Sequence, residues 1–287
     1  MEIDCNQVES ERTRNGVGFD PGLLNAVERQ FWRSIWETMP AGIATEHGVE
    51  VRDFGPVQAT VARDLPAAQM LNLVLGAEEP SAVPGGHLGK ALDWIEGQRV
   101  SFYVPLSDAT GSESARALLE SRQYERGYSW MKFVRDAHSP RFSPPTGVEV
   151  VAVDDEAEPF GMIAATGFGL PPWASSFFAD LHLNPNWHCY LARIDGEPAA
   201  CAAMFLQDGL AEFGIAATLE PARGRGCQTA LLHRRLLDAA TAGCHTLSVK
   251  TGERTPGRPS ASYGNILRAG FEEAYLRPNW QRSENVG

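Results

Sequence analysis

The stretch of sequence most suited to chemistry is a glycine–arginine loop between a β-type run and a helix. The run ends near Thr218, Pro221 breaks it, and the tetrapeptide Arg-Gly-Arg-Gly occupies positions 223–226. Two glycines let the backbone turn tightly and leave successive N–H groups exposed where the helix begins. These donors, the helix dipole and the two guanidinium groups are suited to binding a pyrophosphate.

The same loop has two other interpretations. Two glycines and two arginines also form ordinary solvated turns, and a glycine-rich loop can bind a nucleotide. The strand–loop–helix setting favours a phosphate site over a simple turn. A nucleotide is disfavoured because the sequence has neither a P-loop pattern nor a Gly-x-Gly-x-x-Gly in an early βαβ unit.

Periodicity and turn residues predict the elements that position this loop. A strand is expected at 148–153 and a helix after it, and Asp-Gly pairs at 195–196 and 208–209 predict tight turns between three antiparallel strands. The predicted order is strand, helix, three antiparallel strands, glycine-rich loop, helix, strand, helix, strand. The solvated face of the loop helix is expected to carry three basic residues, His233, Arg234 and Arg235.

The bulk composition limits the partners and the compartment. The 287 residues carry a formal net charge of −11, which disfavours a nucleic-acid binder because phosphate neutralisation needs a basic face, and which weakly favours a cationic acceptor. The sequence starts without a secretory signal, and no apolar run reaches the roughly 18 residues of a membrane helix. Its five cysteines are widely spaced and form no metal-ligand cluster. We expect a cytoplasmic monomer or homodimer with no metal, no nucleic acid and no membrane partner.

The loop resembles that of a known family. The run 223–228 is similar to the acyl-CoA loop of the GCN5-related N-acetyltransferases (GNATs), written Arg/Gln-x-x-Gly-x-Gly/Ala. Arg223 and Gly226 match this pattern, and Gln228 departs from it. A branch written Arg-Gly-x-Gly-x-Gln-x-Ala-Leu carries the glutamine, and the chain resembles that branch. The segment 262–271 resembles the family's last helix, with its Asn and closing Gly-Phe. The resemblance covers roughly residues 148–280.

The resemblance implies a bacterial-type enzyme that passes an acetyl group from acetyl-CoA, its co-substrate, to an amine of a small molecule or peptide. In this family the pantetheine arm lies in a split between two strands and pairs with the strand before the loop, here 213–218. Backbone N–H groups near the end of that strand would polarise the thioester carbonyl. The implied cofactor-binding residues are Ala216, Ala217, Thr218, Arg223, Gly224, Arg225, Gly226, Cys227, Gln228, Thr229 and Asn265.

The catalytic acid and base are less defined by the sequence. Glu212, on the strand before the loop, is the candidate base, and its alternative is an exposed strand carboxylate. The family often uses a tyrosine as the acid at the position that Ile266 occupies here, and Tyr263 lies one helical turn earlier. A thiolate with a pKa of about 8.5 can also leave without an acid. Cys227 begins a helix, which can lower a thiol pKa, but direct transfer needs no cysteine and favours a structural role.

A proline-rich segment divides the chain, and the two parts share one short stretch of weak sequence similarity. Residues 119–128 align without gaps on 266–275, and in both places a helix end leads through an aromatic residue into a strand. The fold class is therefore predicted as α/β (α+β), with two tandem GNAT-like domains, each a mixed, largely antiparallel twisted sheet flanked by helices. The missing tyrosine and the degenerate first copy leave a non-catalytic acyl-CoA sensor as the alternative function. The predicted boundaries are a loose arm at 1–21, a degenerate first copy at 22–138, a linker at 139–147 and the acetyl-CoA-binding domain at 148–287.

Overall fold

A computed structural model describes residues 18–109, 112–154, 156–257 and 260–282. Most of the predicted arm, residues 1–17, therefore lies outside the described residues. Up to the predicted linker, the chain forms four helices and five strands in these ranges. They are α1 (Pro21–Thr38), α2 (Ala41–Glu46), β1 (Val49–Phe54), β2 (Val57–Ala62), β3 (Leu73–Leu75), α3 (His87–Glu96), β4 (Val104–Pro105), α4 (Glu113–Ser121) and β5 (Tyr124–Asp136).

The segment 139–147 contains no helix or strand, as its prolines predict. After it the elements follow the predicted order, with short 3₁₀ turns between α5 and β7 and at Glu220–Ala222. The elements are β6 (Glu149–Ala152), α5 (Ala157–Gly167), β7 (Trp187–Ile194), β8 (Glu197–Gln207), β9 (Leu210–Thr218), α6 (Cys227–Thr241), β10 (Thr246–Gly252), α7 (Ala261–Arg268) and β11 (Glu272–Arg282). No helix in the described ranges is both long and apolar enough to cross a membrane.

The strands form two sheets. A three-stranded antiparallel sheet has the order β1-β2-β3, and an eight-stranded sheet has the order β4-β11-β5-β10-β9-β8-β7-β6. Within the larger sheet only β9 and β10 are parallel. A parallel bridge from Leu73 to Tyr103 connects the two sheets. This mixed, largely antiparallel architecture with flanking helices confirms the predicted fold class.

The eight-stranded sheet takes strands from both sides of the predicted linker. Strand β5, the last of the first half, lies between β10 and β11 of the second half, and β11 in turn pairs with β4 of the first half. The register aligns Gly252 with Trp130 and Arg282 with Tyr124. Each half therefore places its last strand against the sheet of the other.

Helix α1 comes from the first half of the chain but also packs against the second half. Pro21 starts the helix, and the Asp20 carboxylate caps it by accepting a hydrogen bond from the N–H of Gly22 at 2.8 Å. Its buried face includes Phe31, whose ring centroid lies 4.8 Å from that of Trp187 on β7. Burying such side chains contributes about 1.5–3 kcal/mol each, so the core between the halves holds α1 against the second-half sheet.

Candidate active site

The site begins where the two parallel strands separate. Strands β9 and β10 pair from Leu210 and Thr246 up to Phe213 and Val249, and beyond these residues no pairing joins them. Strand β9 continues to Thr218 alongside β8 only. The backbone groups of 214–218 that face β10 therefore have no strand partner there. We call this opening the fork.

A β-bulge shapes the fork. Ala203 on β8 pairs with Gly214, but Cys201 pairs with Ala217, so β9 carries one extra residue between them. Ile215 has a φ of +48°, a conformation that β-branched residues rarely adopt. A Cβ on Gly214 would lie 2.5 Å from Cζ of Phe31. The bulge therefore needs a glycine where α1 approaches the strand.

The loop that follows β9 presents a helix N-terminus. Gly224 and Gly226 have φ values of +78° and +90°, and no side chain caps the N-terminus of α6. Open N–H groups and the positive end of the dipole therefore face outward at this point. This is the arrangement predicted for an anion site.

A cavity of about 540 Å³ runs from this loop to the fork. Ten of the eleven predicted cofactor residues line it, whereas Arg225 does not. The Arg225 side chain is 53% exposed, and it pairs with Asp195 at 3.4 Å. The predicted residues on the wall are Ala216, Ala217, Thr218, Arg223, Gly224, Gly226, Cys227, Gln228, Thr229 and Asn265.

A side-chain bridge joins α6 to α7 beside this cavity. Gln228 Nε2 donates to Oγ of Ser262 at 2.9 Å, and Asn265 Nδ2 donates to Oε1 of Gln228. Two of the predicted cofactor residues, Gln228 and Asn265, are thus brought together with Ser262. Their donors and acceptors lie on the cavity wall.

A second cavity of about 290 Å³ opens on the other side of the fork. It shares Ala216, Gln228, Arg235 and Ser262 with the first cavity, so the two meet at these residues. Much of its wall is apolar, and a large part comes from the first half of the chain. The large apolar side chains are Phe31, Trp32, Met70, Leu71, Trp130, Phe168, Phe178, Phe213, Ile215, Leu232, Val249 and Ile266.

Glu212 lines this second cavity but is not an exposed carboxylate. It is 1% exposed, and Lys132 Nζ donates to both of its oxygens at 2.8 Å. The Ser248 hydroxyl donates to Oε2 as well. Both oxygens of the predicted base therefore already accept hydrogen bonds from the protein.

Glu28 of α1 is the centre of the same ion network. Lys132 Nζ lies 3.0 Å and Arg277 Nη1 2.9 Å from its Oε2, and Lys250 pairs with Oε1. Burial alone would raise the pKa of Glu28, but attraction to these three cations lowers it well below its usual range. For Lys132, attraction to Glu212 and Glu28 overcomes burial and raises the pKa. Glu28 and Lys132 are thus both charged at neutral pH.

Lys250 lies at the fork and was not found from the sequence. Its Nζ is 4.7 Å from the Trp32 ring centroid and 4.3 Å from that of Trp130. Burial lowers the pKa of this ammonium more than the Glu28 carboxylate raises it. The rings and the carboxylate enclose the cation. A lone lysine at the end of a strand gives no sequence signal for this contact.

Arg235 corrects the prediction of a solvated face. It is 2% exposed, its Nη1 donates to the carbonyl of Ala203 at 3.1 Å, and its Nε donates to the carbonyl of Leu231 at 3.2 Å. Burial lowers its pKa to about 10, so it stays charged at neutral pH. Helix α6 turns this arginine inward, toward the carbonyl of Ala203 on β8, and the helix sequence alone does not encode that contact.

Tyr263 and Cys227 have settings different from those of a reactive acid and thiol. The Tyr263 hydroxyl donates to Glu273 at 2.6 Å, burial and this bond raise its pKa to about 12, and it lines neither cavity. Burial raises the pKa of the Cys227 thiol more than the backbone N–H at the helix start and Arg225 lower it. No group of three or more His, Cys, Asp or Glu in the described part of the chain could hold a metal ion.

Comparison with known proteins gives a likeness of fold. Neither a family model nor a curated protein matches the sequence. Among solved structures, a GCN5-related N-acetyltransferase from Kribbella flavida is similar with a TM-score of 0.63 and 17% identity, over 92% of this chain and 95% of that one. A second, from Sphaerobacter thermophilus, has a TM-score of 0.58 and 16% identity, over 79% and 80%.

A tandem GNAT protein from the clavulanic acid biosynthesis pathway, solved without acetyl-CoA, has a TM-score of 0.56 and 12% identity, over 88% of this chain and 94% of that one. The chain therefore has the fold of the GCN5-related N-acetyltransferases, in its tandem form. The predicted resemblance is confirmed at the level of the fold.

Proposed function

We propose that the chain is an N-acetyltransferase that moves an acetyl group directly from acetyl-CoA to an amine of a small molecule or peptide. The observation that carries this proposal is one continuous path, from the uncapped N-terminus of α6 to the fork in β9 and β10. The fold likeness supports the same reaction class. We also propose that the protein is cytoplasmic, is monomeric or homodimeric, and is composed of two GNAT-like copies.

The cavity residues fit acetyl-CoA by the chemistry of their donors. The N–H groups that begin α6 and the Arg223 guanidinium would hold the diphosphate. The unpaired backbone of 216–218 would hold the pantetheine amides, and the polar side chains of Gln228 and Asn265 face the same cavity. When bound, acetyl-CoA supplies an activated acyl group and a thiolate leaving group.

The protein's own groups would then position the thioester and polarise its carbonyl group. Backbone N–H groups near Ala217 and Thr218 are proposed to stabilise the charge that develops on the carbonyl oxygen. Glu212 is proposed as a base only through its network, because both of its oxygens accept bonds from Lys132 and Ser248. An unassisted thiolate is the simpler leaving group, because the Tyr263 hydroxyl is engaged by Glu273.

Free thiol release is the test. The protein is mixed with acetyl-CoA and a panel of amines, and thiol is followed over time while calorimetry measures CoA binding. Thiol release that depends on an amine supports the transferase. Tight CoA binding without release across the panel would favour the alternative, an acyl-CoA sensor.

A further inference from the structure

The features of the second cavity that attract cations are already occupied by the protein's own side chains. Its charged wall residues are Glu212, Arg235 and Lys250. Lys132 neutralises Glu212, and Glu28 neutralises Lys250. The faces of Trp32 and Trp130, which could hold an ammonium group, hold Lys250 Nζ.

The charge that remains at the cavity is positive. Arg235 has no ion pair among the described residues, and its guanidinium carbon lies 4.7 Å from the Phe213 ring centroid. Its two hydrogen bonds go to carbonyl oxygens and use Nη1 and Nε, so Nη2 takes part in neither. A buried guanidinium without a carboxylate is costly unless another anion compensates it.

The surrounding elements do not cancel this charge. The neighbouring elements carry three carboxylates and three cations, which pair with one another and so balance in charge. They are Glu28 on α1, Glu78, Glu212 on β9, Lys132 on β5, Lys250 on β10 and Arg277 on β11. Arg235 on α6 is additional to this balanced set. An alkylammonium ion entering the cavity would therefore meet net repulsion and no free carboxylate to receive it or to take its proton.

We propose that the second cavity binds an acceptor amine that is uncharged at neutral pH, a weakly basic aromatic amine, and that Arg235 disfavours alkylammonium acceptors. The inference rests on the proposed transferase function and assigns the substrate class of the same site. The aromatic and aliphatic wall receives the ring, because apolar surface is buried there at no cost in charge. The volume of about 290 Å³ suits a compact molecule.

The reaction with such an acceptor needs no protein base before attack. The nitrogen lone pair forms the C–N bond to the thioester carbonyl carbon, and the C–S bond breaks with its electron pair on sulfur. One N–H proton ends on the thiolate, so the products are the acetylated amine and the free thiol. Arg235 is positioned to oppose the negative charge that develops during this transfer.

Two isomeric amines test the proposal, because 4-ethylaniline and 2-phenylethylamine have the same atoms but differ in charge at neutral pH. With the full chain and saturating acetyl-CoA, kcat/KM at pH 7 should be at least about tenfold higher for 4-ethylaniline. Its kcat/KM should also be nearly independent of pH between 6 and 9. For 2-phenylethylamine it should rise about tenfold per pH unit with the free-base fraction.

Variants at Arg235 separate charge from packing. R235M should reduce the preference for 4-ethylaniline about tenfold, and R235K should keep it. The matched control is R234M, because Arg234 pairs with Asp238 on the outer side of the same helix. Should R235M fail to fold, the pH profiles of the unmodified protein still decide.

The outcomes separate the two proposals. A preference for 2-phenylethylamine at pH 7, with thiol release, would keep the transferase and overturn the assignment of the acceptor. If CoA binds but neither these two amines nor the wider panel causes thiol release, both the transferase function and the assignment of the acceptor are overturned.

Discussion

At the scale of single residues, the ion network around Glu28 holds the two halves together. One carboxylate on α1 receives Lys132 of the first half and Lys250 and Arg277 of the second. Breaking such a buried network by removing one partner leaves uncompensated charges and costs about 3–5 kcal/mol. The network is therefore structural, and one of its members, Lys250, also lines the second cavity.

E28Q should lower the free energy of unfolding at pH 7 by about 3–5 kcal/mol. Because attraction to the three cations depresses the folded-state pKa of Glu28, its contribution is present above the unfolded-state pKa of about 4.5 and is lost as pH falls below that value. Urea unfolding followed from pH 7 down to about pH 3 should therefore show a smaller acid loss in E28Q than in the unmodified protein. E37Q is the control, since the Glu37 side chain is 55% exposed; an equal effect of both variants would contradict the expectation.

The two loop arginines should differ in their effect on CoA binding. R223A should weaken binding by about 1.5–3 kcal/mol, because Arg223 lines the cavity and charge-assisted bonds to phosphate have this strength. R225A should have the smaller effect, because Arg225 is turned toward Asp195. Isothermal titration with CoA measures both. A larger loss for R225A would place the diphosphate elsewhere on the loop.

At the scale of elements, the bulge in β9 determines the fork. Ile215 takes a positive φ, and Gly214 allows Phe31 of α1 to approach the strand. The bulge, the fork and the α6 N-terminus follow one another within a short segment. A change in the packing of α1 is therefore transmitted directly to the backbone that is proposed to hold the thioester.

G214A should destabilise the fold and reduce turnover. The added Cβ would lie 2.5 Å from Cζ of Phe31, and such overpacking costs about 1–3 kcal/mol. F31L in the G214A background should restore part of the stability by making room. Denaturant midpoints and kcat are compared with those of G42A, because a Cβ on Gly42 meets nothing within 4 Å. Equal midpoints for G42A and G214A would contradict this expectation, because they would show that the strand shifts to accommodate the added Cβ.

The elements of the second half could be predicted because their signals are local. Asp-Gly turns, the loop glycines and apolar periodicity each report on a few neighbouring residues. The burial of Arg235 could not be predicted, since three adjacent basic residues look alike until the helix face that meets Ala203 is known. The ion pairs of Glu212 likewise depend on Lys132, which comes from the far side of the linker.

At the scale of the whole molecule, the two halves are interlocked by their last strands. Strand β5 separates β10 from β11, and β11 separates β5 from β4. Aligned residues such as Tyr124 and Arg282 are far apart in sequence, so this part of the sheet forms through long-range pairing. The second cavity likewise has wall residues from both halves.

The segment 148–287 alone should not fold cooperatively, because it lacks the strand between β10 and β11 and would expose both edges. Circular dichroism with thermal unfolding should show a broad, non-cooperative transition. The full chain cut at a protease site inserted in 139–147 is the control, since that segment has no regular structure. The cut protein should elute as one species with an unchanged midpoint; separation of its pieces would contradict the interlocking.

The exchanged strands also bear on how such a chain can change over generations. A half that lacks the arginine–glycine loop would ordinarily be free to accumulate substitutions or be deleted. Here Tyr124–Asp136 is the immediate neighbour of the strand that forms one side of the fork. Selection on the chemistry of the second half therefore reaches into the first, and the two must be inherited as one unit.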